Sequence, residues 1–416
     1  MILLYLGAVL LPGGCERQGP TVDQSWSPAA PSVSGVPDIR EVAIRVFLDR
    51  VKQLRIDCPE HSYSIWAQPG EKEILTLPAG QPCWLRRDGG SWRLELPDGK
   101  DIPNQPAAQV EVRPSPNQIL TIGTDPPRRY RGRLLCLSES TDRFAVVNVL
   151  DLEEYLAGVV GAEMYAGWHG AALRAQSIAA RTYALYQMHR RFESRGWDIG
   201  SSQASQMYSG LASENPHVSR AVADTRGIVL TWGQPGREKI FPAFYGSICG
   251  GHTQDAEEVF RHSLSPLRGR TCAYCQSIAP ANRYQWPRVR ISKKQASELL
   301  LERYPMLVQL ERIAGVKIVQ KSDYGRIEVI KLTGSNGKSL RIRAEDFRLA
   351  VGSKKLLSSW YDLTDAGDVW QFDNGRGWGH GVGLCQYGSQ AMARQGKDCL
   401  AILNYYYPQA VLLRAY

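Results

Sequence analysis

Two-residue gaps bring metal-ligating residues together twice in this chain, as Cys249-x-x-His252 and, nineteen residues further on, as Cys272-Ala273-Tyr274-Cys275. Three thiolates and one imidazole at such spacing suit a closed, four-coordinate structural zinc site. In an exported chain the same thiols could close disulfides instead. Glu163 stands beside Met164, Tyr165 and Trp168. An apolar, partly dry setting of that kind would raise the pKa of a carboxyl group and keep it protonated near neutral pH. Taken by itself, Glu163 also reads as a helix-start carboxylate completing a cap near the positive end of the macrodipole. His380 sits in the middle of Gly375 to Gly383, a stretch with five glycines in nine residues. Such a stretch lets the backbone approach a ligand or a neighbouring strand closely. It lacks the Gly-Lys-Ser/Thr ending of a phosphate loop, which argues against nucleotide binding.

These residues need elements to position them. A helical block begins at Leu152, and its densest part, Gly170 to Arg191, places Ala, Leu, Ile and Tyr on almost every face through Leu185. That pattern predicts a helix buried on most sides. Gln176 and Arg181 within it must then find polar partners, or reach the substrate. Placed against Glu163, Arg181 would depress the acid's pKa, so it is expected to hold a different carboxylate, a carbonyl or a glycan. Upstream, from Glu41, short runs such as Val42 to Phe47, Trp92 to Leu96 and Arg133 to Leu137 alternate apolar and polar residues. This predicts strands. Cys58 and Cys83 fall among them, and a disulfide between the two is open to an exported chain. Residues 226 to 247 return to strand patterning, Ser292 to Leu310 has helical spacing, and Val316 to Arg343 reads as two strands around Ser335-Asn336-Gly337. The last fifty residues read as a Gly-rich loop leading into two short helices. Cys136, Cys385 and Cys399 lack ligand-like neighbours and read as small buried hydrophobes or as partners of one another.

The N-terminus carries an address. Met1 to Leu11 is apolar apart from Tyr5 and is followed by Pro12-Gly13-Gly14-Cys15. It is too short to span a bilayer but suits a signal segment ending at a Cys that becomes lipidated. Residues 16 to 38, rich in Pro, Ser, Gly and Gln, read as a tether. The expected organisation is therefore 1–15 lipoprotein-type signal, 16–38 disordered tether, 39–150 β-rich subdomain and 151–416 catalytic region. At 416 residues and 43% hydrophobic content, the chain can bury a sizeable core. Its formal charge of +9 favours anionic partners. Lys and Arg are scattered rather than interleaved with aromatics in a basic run, which disfavours nucleic acid.

Residues 158 to 184, GVVGAEMYAGWHGAALRAQSIAARTYA, resemble the signature of the SpoIID/LytB family, a Glu-Met pair preceding a helix with an Ala-Gln-x-x-Ala-Ala-Arg-Thr-Tyr run. Gly375 to Gln395, GRGWGHGVGLCQYGSQAMARQ, is similar to the family's C-terminal glycine-rich motif, and Tyr405-Tyr406-Tyr407-Pro408 follows it. Ser205 to Gly210, Gly250 to Thr253 and Tyr324-Gly325-Arg326 fall between them in the family's order.

The resemblance implies an α+β protein, with a β-rich N-terminal part packed against a helical, Gly-loop-containing catalytic half. It implies an exported lytic transglycosylase that cuts the MurNAc to GlcNAc bond of peptidoglycan glycan strands, leaving 1,6-anhydro ends. Glycosidases ordinarily need two carboxylates. With the substrate's own C6 hydroxyl as nucleophile, Glu163 alone suffices as acid and then base. Candidates for substrate contact are Gln176, Arg181, Tyr208, Trp378, His380, Gln386 and Tyr387, and the tyrosines and Trp378 have core packing as their alternative role. The resemblance also supports zinc on Cys249, His252, Cys272 and Cys275, although family members often carry a His where this chain has Gly246. Two rivals follow: a noncatalytic wall-binding module that enhances a partner amidase, as attributed to LytB relatives, and a zinc-dependent wall hydrolase.

Overall fold

The computed structural model describes residues 42–416 apart from 106, 124–125, 191–195 and 204. The expected signal, Cys15 and the tether lie outside the described residues. The architecture is α+β, as expected. Period-two alternation turns one face of each N-terminal strand inward: Arg133–Ser138 buries Leu134 and Cys136 and exposes Arg133. These strands form two sheets. One has seven strands in the order Ile199–Gly200, Ala43–Val51, Phe144–Asp151, Arg133–Ser138, Gln109–Pro114, Tyr63–Gln68, Lys72–Leu77. The other has six, with Gln53–Asp57, Cys83–Asp88 and Ser91–Glu95 adjacent within it. Trp92 of the second sheet packs on Phe144 of the first, ring centroids 5.1 Å apart, and both are fully buried. Its indole N–H donates to the Ala107 carbonyl at 3.0 Å. Cys58 and Cys83 are both buried free thiols.

Strand Phe144–Asp151 runs straight into helix α1 (Leu152–Glu163), because Asp151 caps it: its Oδ1 accepts the N–H groups of Glu153 (2.8 Å) and Glu154 (3.3 Å). Helix α2 (Gly170–His189) follows, buried without interruption from Ala171 to Leu185. Burial on every face brings α1, the helices Pro216–Asp224, Gln386–Arg394 and Cys399–Tyr406, and strand Ile228–Trp232 around it. Arg181 lies in this interior and is fully buried. Its charge is compensated by a two-pronged ion pair to Glu153 (2.8 and 2.7 Å), and Nη1 donates to the Ile228 carbonyl at 3.1 Å.

The region expected as one catalytic unit contains a second hydrophobic core, built by Trp286, Leu300, Ile330, Phe347, Trp370 and Phe372 among others. Val316 to Arg343, expected as two strands, holds parts of three: Ile313–Lys321, Ile327–Gly334 and Ser339–Arg343. The extra reversal occurs at Ser322 to Arg326, where Gly325 adopts φ +97° and the Ser322 N–H donates to the Arg326 carbonyl at 2.8 Å. From this turn the fully buried Arg326 reaches the first core, donating to the carbonyls of Cys249 (2.6 Å) and Gly379 (3.4 Å). A Cβ on Gly381 would stand 2.8 Å from the Arg326 guanidinium carbon, so the glycine-rich loop is thin where the two cores join.

Candidate functional site

Glu163 is the last residue of α1, not near its start. At that end the helix dipole disfavours a negative charge, the opposite of the capping role. Met164 leaves the helix in extended conformation and is buried, which turns the Glu163 carboxyl toward the chain's later segments. Its Oε1 accepts the Met207 N–H at 2.9 Å, and its Oε2 accepts from Gln386 Nε2 at 3.2 Å. The side chain is half-buried. Burial raises its pKa above the ordinary carboxylate value, while the Met207 N–H and the Gln386 amide pull the other way without cancelling the rise. A chain of buried hydrogen bonds fixes the Met207 amide from behind. Tyr155 Oη donates to Gln206 Oε1 (3.0 Å), and Gln206 Nε2 donates to the Tyr245 hydroxyl (2.9 Å) and the Ala180 carbonyl (3.1 Å).

The other expected contact residues divide. Gln386 meets Glu163. Arg181 holds Glu153, one of the alternatives expected for it, and being fully buried it does not present its guanidinium to a glycan. Gln176 is fully buried on α2 with neither amide atom hydrogen-bonded among the described residues, and so offers no surface for substrate. Tyr208, packed between Tyr130 and Tyr155, gives its hydroxyl proton to Asn148 Oδ1 at 2.8 Å; it is a core residue. His380 accepts the Val382 N–H at Nδ1 (3.0 Å) and lines a cavity of about 110 Å³ with Ser205, Phe244, Tyr245, Glu345 and Arg348. Burial lowers its pKa to about 4, so the ring is neutral at ordinary pH. The Tyr405 to Tyr407 run anchors the interior through Tyr405 to the Thr271 carbonyl (2.6 Å) and Tyr407 to the Phe244 carbonyl (2.7 Å).

Beside Glu163 an aromatic surface forms. Trp168 meets Tyr387 edge to face at 4.9 Å and lies 5.5 Å from Tyr165, which is 57% exposed. The Tyr165 and Tyr387 hydroxyls pair, and burial with this pairing pushes the Tyr387 phenol up to about 12. Arg283 acts on both hydroxyls and lies over the Trp378 ring at 4.3 Å. An aromatic cluster with the exposed Tyr165 ring at its edge, next to a carboxyl whose pKa is raised, forms a surface suited to pyranose rings. Sequence reasoning missed Arg283, which no spacing marks, and gave no role to Gln206, although it lies in the Ser205 to Gly210 element.

The expected metal ligands are corrected at one position. Cys249, Cys272, Cys275 and Cys385, all buried, bring their sulfur atoms within 4.8 Å of one another. His252 is not among them: its Nδ1 pairs with the Thr253 carbonyl at 2.6 Å and its ring stacks on Tyr324 at 3.7 Å. Cys385, which reads from sequence as a small buried hydrophobe or a partner of Cys136 or Cys399, stands in the cluster in the place expected for His252. Tetrahedral thiolate coordination at ~2.3 Å places sulfurs roughly 3.8 Å apart, and Cys249 and Cys275 stand 3.5 Å apart. Four sulfur donors of this compactness fit a soft, four-coordinate ion. Cys385 immediately precedes Gln386 and accepts the Cys249 N–H at 3.3 Å, so the cluster adjoins the residue that holds Glu163.

Residues 140–232 match the family described as "Stage II sporulation protein", and residues 274–383 match a domain of unknown function. An uncharacterized protein of Brachyspira hyodysenteriae is 32% identical over 279 residues, covering 67% of this chain and 70% of that protein. Stage II sporulation protein D of Bacillus subtilis is 28% identical over 281 residues, covering 63% and 74% of the two chains. The amidase enhancer of the same organism is 26% identical over 300 residues, which span 62% of this chain but 40% of the enhancer.

Proposed function

This chain belongs to the SpoIID family and has a cell-wall-related role; from that premise we propose that it is a peptidoglycan lytic transglycosylase with Glu163 as its catalytic acid. The observation that carries the proposal is a half-buried carboxyl group, raised in pKa and held by two donors, beside an aromatic cluster in which Tyr165 is exposed. Protonated Glu163 gives its proton to the bridging oxygen between MurNAc and GlcNAc as the C1–O bond breaks. Positive charge develops at C1, and the resulting carboxylate then takes the C6 hydroxyl proton as that oxygen closes onto C1. The ring closure needs no water and no second carboxylate. The Met207 N–H and the Gln386 amide stabilise the carboxylate form, while a turn of that amide would offer Oε1 to the protonated form. Tyr165 and Trp168 seat sugar faces, with the buried Tyr387 packed against Trp168, and Arg283 and the chain's positive charge favour the lactyl carboxylates of peptide-free strands.

We further propose that Cys249, Cys272, Cys275 and Cys385 hold a structural zinc, in place of the ligand set with His252. Bound there, zinc would cross-link three separate segments; four protein ligands leave no open position for activating water, which disfavours the zinc-hydrolase rival. An export segment with lipidation at Cys15 would hold the enzyme at the cell envelope.

Likeness to the amidase enhancer supports a second reading, a noncatalytic module that stimulates a partner amidase. Glu163→Gln separates the two. The transglycosylase reading expects no release of soluble fragments from glycan strands at an unchanged melting temperature. Wild-type turnover in that variant would overturn it, and undiminished amidase stimulation by both proteins, neither of which cuts strands, would favour the enhancer.

A further inference from the structure

A cavity of about 590 Å³ opens between the segment Trp232–Pro242, the segment Arg261–Leu264 and Tyr186 of α2. It shares no lining residue with the His380 cavity, and Glu163 lines neither. Its volume falls in the range of small-molecule sites. Its base is apolar: Phe241 and Pro242 are buried, and Tyr186, Trp232, Ile240 and Leu264 are half-buried. The rim is cationic: Arg237, Lys239 and Arg261 are exposed, and among the described residues no carboxylate lines the cavity. Among the described residues no side-chain hydrogen bond or ion pair engages those three cations. Arg190 adds to the field from above Tyr186, 5.8 Å from its ring. The Ser263 hydroxyl donates away from the cavity, to Glu257 at 3.0 Å.

His262 supplies a second, independent observation. It is half-buried at the cavity wall, 6.2 Å from the Tyr186 ring, and its imidazole has no hydrogen-bond partner among the described residues. Burial and the nearby Arg190 charge keep it neutral, so it can both donate and accept. Like charges gathered around an apolar concavity repel one another unless an anion relieves them, and the low-dielectric base strengthens the attraction for one. Indole and phenol faces suit the C–H face of a pyranose, guanidinium forks suit carboxylate or phosphate oxygens, and imidazole and Gln234 suit ring hydroxyls.

We infer that this cavity is a second carbohydrate site, apart from Glu163, that takes a sugar carrying an anionic substituent, either carboxylate or phosphate. The role does not depend on Glu163 being catalytic. The test titrates the full chain at low ionic strength with N-acetylmuramic acid, N-acetylglucosamine 6-phosphate and uncharged N-acetylglucosamine, by calorimetry or ligand-observed NMR. At least one anionic sugar binds about tenfold tighter than the neutral one, and the better of the two identifies the natural substituent. The exposed double substitution Arg237→Ala with Lys239→Ala removes about tenfold of that affinity, whereas Glu163→Gln leaves it unchanged. Equal binding of all three sugars, no binding of either anion, or wild-type affinity in the double variant overturns the inference.

Discussion

Gln386 Nε2 stands 3.2 Å from Glu163 Oε2 across 223 positions of sequence, and Gln386 follows directly on Cys385, a member of the buried sulfur cluster. The residue that touches the acid is thereby fixed to the element that the cluster ties down. Two of the chain's candidate chemistries, the carboxyl and the sulfurs, meet at the first turn of one helix.

The first prediction concerns that contact. The Gln386 amide stabilises ionised Glu163, so Gln386→Leu raises the acid's pKa further. The protonated acid then persists to higher pH, and the alkaline limb of the kcat/KM profile moves upward. Lost positioning lowers kcat at the optimum by about tenfold or more. A pH-rate profile checks both effects; an unmoved or downward-shifted alkaline limb contradicts the contact's assigned role.

Metal content discriminates between the two ligand sets. Elemental analysis of purified protein is expected to give one zinc per chain, retained in His252→Ala and lost in Cys385→Ala with a fall in melting temperature. Zinc loss in the His252 variant, with retention in the Cys385 variant, would restore the set read from sequence.

Arg181 and Glu153 support the fold rather than the chemistry. Truncating one partner as Arg181→Leu leaves a buried carboxylate uncompensated and costs about 3–5 kcal/mol. Burial alone would raise the Glu153 pKa, but Arg181, with help from Tyr416 and the Gly227 N–H, outweighs it and holds the group below 4.5. A depressed acid contributes stability that is complete above its unfolded pKa and is lost as pH falls through the folded one. Wild-type denaturant midpoints therefore decline in acid below about pH 4.3, and part of that decline disappears in the Arg181 variant. An equally steep decline in both would refute the assignment.

His380 titrates in a different window. Its folded pKa of about 4 lies below the ordinary value of 6.5, so the unfolded chain binds the extra proton between those limits. Stability carried by the neutral ring is full above pH 6.5 and is lost as pH falls toward 4. In His380→Gln the slope of unfolding free energy across this window flattens, measured by urea melts. An unchanged slope would show that the ring is not held neutral.

Much of this fold was legible because local rules and tertiary structure agree. Asp151 marks the start of α1, the apolar faces of α2 predict its burial, and the alternation from Arg133 to Leu137 marks a strand. What escaped was set by distance along the chain. Cys385 lies 136 positions from Cys249, beyond any spacing rule, while His252 sits at a tempting interval but turns to Tyr324. Tyr208 and Arg181 belong to motifs of the family, yet motif membership does not distinguish a residue that builds the site from one that touches substrate. Taken by itself Glu163 reads as a helix-start carboxylate, but α1 begins at Leu152 under the Asp151 cap and ends at Glu163, where Met164 turns extended.

The most direct measurement is the mass of the termini released when purified protein digests peptide-free glycan strands. Ring closure by the substrate's own hydroxyl, with Glu163 passing the proton, predicts anhydro ends, each lighter by one water than a hydrolysed end. Fragments from the wild-type protein bearing ordinary reducing ends would contradict it.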